Sequence, residues 1–167
     1  VLLVIDGVRL NNCIYRSGNL HNVISLDVHS IEKSEIIFGP GSVTYGSDAL
    51  GGVMDFHTKS VKLSTSRKPH EKWNLVTRYS SANHETTGHI DYNYGMQKWG
   101  FLTSLSYSNF DDLKMGGHDH PEYRRMEYVK RINGRDSVVR NKRPNTQIPS
   151  AYEQFNVMQK LRYRPGS

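Results

Sequence analysis

Residues 35–59 read EIIFGPGSVTYGSDALGGVMDFHTK and place five glycines and one proline between two short apolar runs. The pattern predicts a sharp turn, close backbone packing, and a return to extended chain. Ser34 to Phe38 is strand-like and is ended by Gly39-Pro40-Gly41, since Pro40 removes a donor and fixes φ. The following residues are too short and glycine-rich for a long helix. A single helical turn from Ser42 to Tyr45, broken at Gly46, fits, with Ser47 or Asp48 capping the next turn. Gly51-Gly52 permit positive φ or a close approach before the strand Val53 to Thr58. Neither glycine-rich phosphate-binding spacing is present.

Working toward the start, Val1 to Ile5 reads as a buried strand ended by the turn pair Asp6-Gly7. Val8-Arg9-Leu10 resumes extended chain. Asn11 to Asn22 is polar and reads as a loop. Asp27 or Ser30 suits the cap of a short helical turn. Residues 1–60 therefore read as a small α+β unit. Asp55 and His57 share a strand face but have no accompanying nucleophile motif. They read as a hydrogen-bonded pair within this unit, and no catalytic residue and no enzyme activity is assigned.

Past residue 60 the period changes to two. In WGFLTSLSYSNF, Trp99, Phe101, Thr103, Leu105 and Tyr107 share one face, against Gly100, Leu102, Ser104, Ser106 and Ser108. KWNLVTRYS sets Trp73, Leu75, Thr77 and Tyr79 against Lys72, Asn74, Val76, Arg78 and Ser80. TTGHIDYNYGM sets Ile90, Tyr92, Tyr94 and Met96 against His89, Asp91, Asn93 and Gly95. YEQFNVMQKLRYR sets Phe155, Val157, Leu161 and Tyr163 against Gln154, Asn156, Lys160 and Arg162. Such strands suit a wall between lipid and water, with Trp and Tyr at the headgroup levels. A soluble antiparallel sheet with one buried face is the competing reading. Lengths near the ~9–11 residues needed to cross a bilayer favour the membrane. The connections alternate short and long, with about forty residues between the third and fourth strands. On the barrel reading, 81–85 and 111–150 face outward, and 111–150 is an exposed, mobile loop.

The whole chain has 167 residues and a net charge of +6. Residues 1–60 carry four Lys/Arg and six Asp/Glu, net −2; residues 61–167 carry eighteen and ten, net +8. The shift marks a boundary near residue 60. The basic residues are dispersed among acids without a nucleic-acid motif, although a soluble basic β-rich module binding nucleic acid or protein is the alternative function. The single cysteine, Cys13, cannot form an internal disulfide, and no zinc spacing exists. No apolar stretch approaches the ~18 residues of a membrane helix. Both ends interrupt strand-like runs, so a fragment of a longer protein is expected.

The runs VLLVIDGVRLNN and IEKSEIIFGPGSVTYGSDALGGVMDFHTK, followed by alternating strands, resemble the TonB-dependent outer-membrane receptors. The spacing E-x-x-x-G-P-x-S-x-x-Y-G-S-x-A-x-G-G carries the resemblance. It implies that 1–60 is the later part of a plug domain and 61–71 a linker. Residues 72–167 would be the first four strands of a 22-stranded barrel, with 111–150 an extracellular loop. It implies a receptor for a siderophore, haem or cobalamin, without a cofactor of its own. Its partners would be a TonB-type energy-coupling protein, engaged through a region absent here, a metal-chelate cargo and outer-membrane lipid. Nucleic acid is not among them. Where the family often has Arg before Gly-Pro, this chain has Phe38.

The resemblance also places the polar loop toward the extracellular mouth. Asn11, Asn12 and Ser17 then offer hydrogen bonds, Tyr15 a stacking face, and Arg16 a charge for a carboxylate, phosphate or propionate. These five are the candidate ligand-binding residues. No metal site is assigned. His118 and His120, flanking Asp119, could touch haem or a metal, but a solvated polar loop accounts for them equally.

Overall fold

The computed structural model describes residues 1–10, 23, 25–39, 41–46, 49–116 and 120–165. The chain divides into two units. One comprises Val1–Asn74, Ile90–Ser106 and Asn156–Ser167; the other comprises Leu75–His89 and Tyr107–Phe155.

The first unit contains an N-terminal sheet ordered β2-β1-β4-β3, from β1 (Leu2–Ile5), β2 (Val8–Leu10), β3 (Ile31–Ile37) and β4 (Val53–Thr58). Asp6 and Gly7 both have positive φ, at 49° and 80°, which gives the β1–β2 hairpin its tight turn. β1 pairs in parallel with β4, Leu2 opposite Val53 and Ile5 opposite Phe56. Flanked on both sides, it buries Leu2, Leu3 and Val4 in succession, which is why it reads as an unbroken apolar run. Leu2, Val4, Ala49 and Val53 form the core, with Ile37 and Tyr45 packed against it. The single helical turn falls at Ser42–Tyr45 (α1), as the glycines around it predict. Asp27 caps the 3-10 turn Val28–Ser30 by accepting from His29 N at 3.0 Å.

The opening glycines have a geometric cause. Gly52 sits at φ 116°, and a Cβ there would lie 2.8 Å from the Ile37 carbonyl oxygen. Only glycine lets the turn close while β4 pairs with β3.

The long strands are β5 (His70–Ser80), β6 (Glu85–Gly95), β7 (Trp99–Phe110) and β12 (Tyr152–Tyr163), ordered β12-β7-β6-β5 in one sheet. They fall where the alternation puts them, although β5 begins two residues inside the expected linker. Along β6, Glu85, Thr87, His89, Asp91 and Asn93 are all buried, while the intervening residues face out or lie half-buried. On β7, Leu102, Ser104 and Ser106 are buried. The opposite face is apolar and open: Leu75 is 72 % exposed and Leu161 79 %. Trp73 stacks on Tyr92 at 4.0 Å, and Tyr92 meets Phe101 edge-on. Among the residues on the second face of these strands, Asp91 and Ser104 are buried and Lys160 is half-buried. Arg78 is exposed and stands 3.5 Å from Glu85.

The second unit includes 111–150, expected as an exposed loop, and shows that this stretch carries strands of its own. Its residues form β8 (Leu113–Lys114), β9 (Glu127–Ile132), β10 (Arg135–Arg140) and β11 (Thr146–Gln147). β9 and β10 make a hairpin around Asn133-Gly134, both at positive φ. Its register sets Glu127 opposite Arg140 and Arg131 opposite Asp136, so opposite charges face across the strands. The buried Asn141 amide donates to the carbonyls of Arg125 and Thr146, each at 2.9 Å. Asp112 accepts from the backbone of Ser150 and Ala151, at 2.7 and 3.0 Å. The short connection between β5 and β6 is 81–84, because Glu85 already belongs to the strand.

Candidate functional site

Within the first unit, side chains from the N-terminal segment meet the buried polar face of the long strands. Asp91 on β6 is 6 % exposed. Lys59, just past β4, reaches it at 2.6 Å, and the Asn74 amide donates to the same oxygen at 3.1 Å. Two residues along, the Asn93 amide clamps the Lys62 backbone. Its oxygen accepts from Lys62 N at 2.9 Å and its nitrogen donates to Lys62 O at 3.0 Å. The peptide can come this close because β6 then has Gly95, where a Cβ would lie 2.0 Å from Lys62 O.

The remaining ties are also polar. Ser106 Oγ on β7 donates to Asp27 Oδ2 at 2.6 Å. Lys160 on β12 reaches Asp6 Oδ2 at 3.0 Å and bonds the Thr58 hydroxyl. Arg162 donates to the Val61 carbonyl at 3.1 Å. Burial would raise the Asp6 carboxyl, but hydrogen bonds from the Thr58 hydroxyl and amide, with Lys160, hold it below its usual value. A cavity of about 350 Å³ lies beside these contacts, lined among others by Lys59, Lys62, Lys72, Asp91 and Asn93.

Such a set of ties can hold and release. Each ion pair or amide clamp can be exchanged for water at modest net cost, because water satisfies the same groups. An apolar seam would have no such substitute. Asp91 and Lys160 were expected on the inward face from the strand period alone. Lys59 was not singled out, and its place directly after the strand-ending His57-Thr58 carries no local signal. Phe38, which stands where the resembled family often has Arg, is 90 % exposed.

Other sequence-based candidates fare differently. Asn11, Asn12, Tyr15, Arg16 and Ser17 lie outside the described residues, as does His118. His120 stands 3.6 Å from Glu122 and edge-on to the Tyr123 ring. Asp55 and His57 are neighbours at 3.7 Å, too long for the hydrogen bond expected between them. The Tyr45 hydroxyl donates to Asp55 instead, at 3.3 Å. No helix among the described residues is long and apolar enough to cross a membrane, which says nothing of crossing by strands.

Residues 1–53 match the family model of the TonB-dependent receptor plug domain. The first third of the chain thus carries sequence similar to the plug of TonB-dependent receptors. Among individual proteins, the chain is 42 % identical over 64 residues to the Vitamin B12 transporter BtuB of Vibrio vulnificus (strain CMCP6). That match takes in 38 % of this chain and 10 % of the relative, so the chain spans a small part of the protein it resembles.

Proposed function

We propose that the chain is the rear of the plug and the first four barrel strands of an outer-membrane receptor for energy-coupled nutrient uptake. On this reading 61–69 links the two parts and 111–150 lies outside the cell. The observation that carries it is the inverted burial of the long strands, polar inside and apolar outside. In water each exposed Leu, Val or Ile would forfeit about 1.5–3 kcal/mol of burial. Against acyl chains that loss vanishes, and the polar lumen becomes the surface to which a plug is tied. The ties to Asp91, Asn93, Ser106, Lys160 and Arg162 then act as releasable fastenings. A TonB-type coupling protein pulling from the periplasm would exchange them for water.

Among scarce cargoes, ferric siderophore, haem or cobalamin, the named function of the relative favours cobalamin. Asn11, Asn12, Tyr15, Arg16 and Ser17 supply first contacts in this proposal, on the strength of their chemistry. The test uses the full-length receptor in detergent and measures cobalamin binding. Loss of a charged hydrogen bond in Arg16→Ala is expected to cost about 1.5–3 kcal/mol, roughly ten- to a hundredfold in affinity. Tyr15→Ala should weaken binding less. Unchanged affinity in both folded variants would remove this loop from the site. Failure of the wild-type receptor to bind cobalamin, with binding of haem or a ferric siderophore, would reassign the cargo.

A further inference from the structure

One face of the N-terminal sheet grades from apolar to charged. Ile37 lies opposite Val53, then Glu35 opposite Asp55, then Lys33 opposite His57. A carboxylate oxygen from each of Glu35 and Asp55 and a ring nitrogen of His57 all lie within 4.8 Å of one another. None of the ties between the N-terminal segment and the long strands uses these groups.

We propose that Glu35, Asp55 and His57 form a binding site for a divalent transition cation of the zinc type, joining β3 to β4. Three features support it. First, one imidazole and two carboxylates are a donor set that suits zinc, with water completing four ligands. Second, one pair already stands near the spacing that a metal needs. Ligands at about 2.0–2.1 Å from a tetrahedral metal stand roughly 3.3 Å apart, and Asp55 Oδ2 and His57 Nε2 are already at 3.7 Å. Third, Asp55 is 6 % exposed, and its Oδ1 has no hydrogen-bond partner. A buried carboxylate oxygen without a donor is costly, and a cation held by both Asp55 oxygens would satisfy it.

The cluster already attracts a cation of its own. Lys33 bonds Glu35, and this hydrogen bond holds the Glu35 carboxyl below its usual range and raises the Lys33 amine. The Lys33 side chain is 63 % exposed, so it can swing into water when a dication takes its place. Two carboxylates and a neutral imidazole then balance the charge of the metal. Lys33 is therefore a competitor for the site, and its removal should tighten metal binding.

The site is independent of cargo and of transport, and its test measures metal alone. Full-length receptor in detergent is dialysed against zinc, and cobalt(II) serves as the spectroscopic probe. The wild type should bind one more equivalent of zinc than Asp55→Asn or His57→Gln, with affinity at this site lowered about a hundredfold in each. The visible band of four-coordinate cobalt should be lost in both. His57→Gln leaves the buried Asp55 in place, so it reports even where Asp55→Asn fails to fold. Lys33→Met should raise affinity. Equal stoichiometry and affinity in wild type and His57→Gln would overturn the proposal, as would Lys33→Met that binds more weakly than wild type.

Discussion

The sheet β2-β1-β4-β3 buries Leu2, Leu3, Val4 and Val53, whereas the sheet β12-β7-β6-β5 buries Asp91, Asn93, Ser104 and Ser106 and leaves Leu75, Val157 and Leu161 open. Both have four strands, and both alternate or run apolar as their burial requires. They differ in which solvent their open face suits. The first follows the rule for proteins in water, where apolar area is hidden. The second follows the rule for a wall with lipid outside, where polar groups turn inward and find partners. The contact between the two regions is accordingly polar: it is made by the inward face of the second, and that face offers carboxylates, amides and hydroxyls.

The comparison breaks most sharply at Asp91. Removing Lys59 leaves a buried carboxylate with only the Asn74 amide of the two side-chain donors described above. Lys59→Met in the full-length protein should weaken the attachment of the N-terminal segment to the long strands by up to about 3–5 kcal/mol, the cost of breaking a buried pair. The pair Lys59→Met with Asp91→Leu should recover most of that loss, because the buried charge goes with its partner. Denaturant unfolding of the purified receptor reads both. If the single and double variants lose the same stability, Asp91 is not held by Lys59 and the polar seam is incidental.

A substitution on the open face tests the other half. Leu105 lies on the apolar side of β7 and is partly exposed. Leu105→Arg should cost about 2–4 kcal/mol in a receptor refolded into lipid vesicles, if this face meets acyl chains near mid-bilayer. In an aqueous sheet with an open face the same change should cost within about 0.5 kcal/mol. The two solvents thus give different magnitudes for one mutation.

These contrasts also mark what could be read from residues alone. The four long strands were legible because alternation over nine or more residues is a strong periodic signal, and Trp99 to Phe110 falls where it predicts. The turn at Ser42–Tyr45 was legible from Gly41 and Gly46, which bound it. The β9–β10 hairpin was missed, although Asn133-Gly134 between YVKRI and RDSVV is a recognised turn signal. Its strands carry charge on both faces, and high polarity masked a period of two. The ties between the N-terminal segment and the long strands were only half legible. The strand period told that Asp91 and Lys160 point inward, but their partners Lys59, Asp6 and Thr58 are distant in sequence, joined by geometry that no local pattern encodes. The Glu35–Asp55 pairing was hidden for the same reason: register across β3 and β4 brings them together.

The smallest expected effect sits at the exposed end of the same seam. Asp6 accepts from Thr58 and pairs with Lys160 at 3.0 Å, with its side chain 40 % exposed. Solvent screening at such a site limits the pair to less than about 1 kcal/mol. Its pH dependence nevertheless has a definite sign. The Asp6 carboxyl is held below its unfolded value of 3.8, against the upward push of its burial. A group lowered on folding binds fewer protons folded than unfolded, so its contribution is complete above the unfolded value. It is lost as pH falls through the folded one. Asp6→Asn should therefore melt slightly below wild type at pH 7, and the gap should narrow only below about pH 4, where unfolded carboxyls take up protons. Thermal unfolding of the full-length receptor in detergent at pH 7 and pH 3 measures that gap. A gap of equal size at both values would mean that Asp6 acts through its shape and hydrogen bonds alone. The charge of Lys160 would then have no part in fastening β12 to the N-terminal sheet.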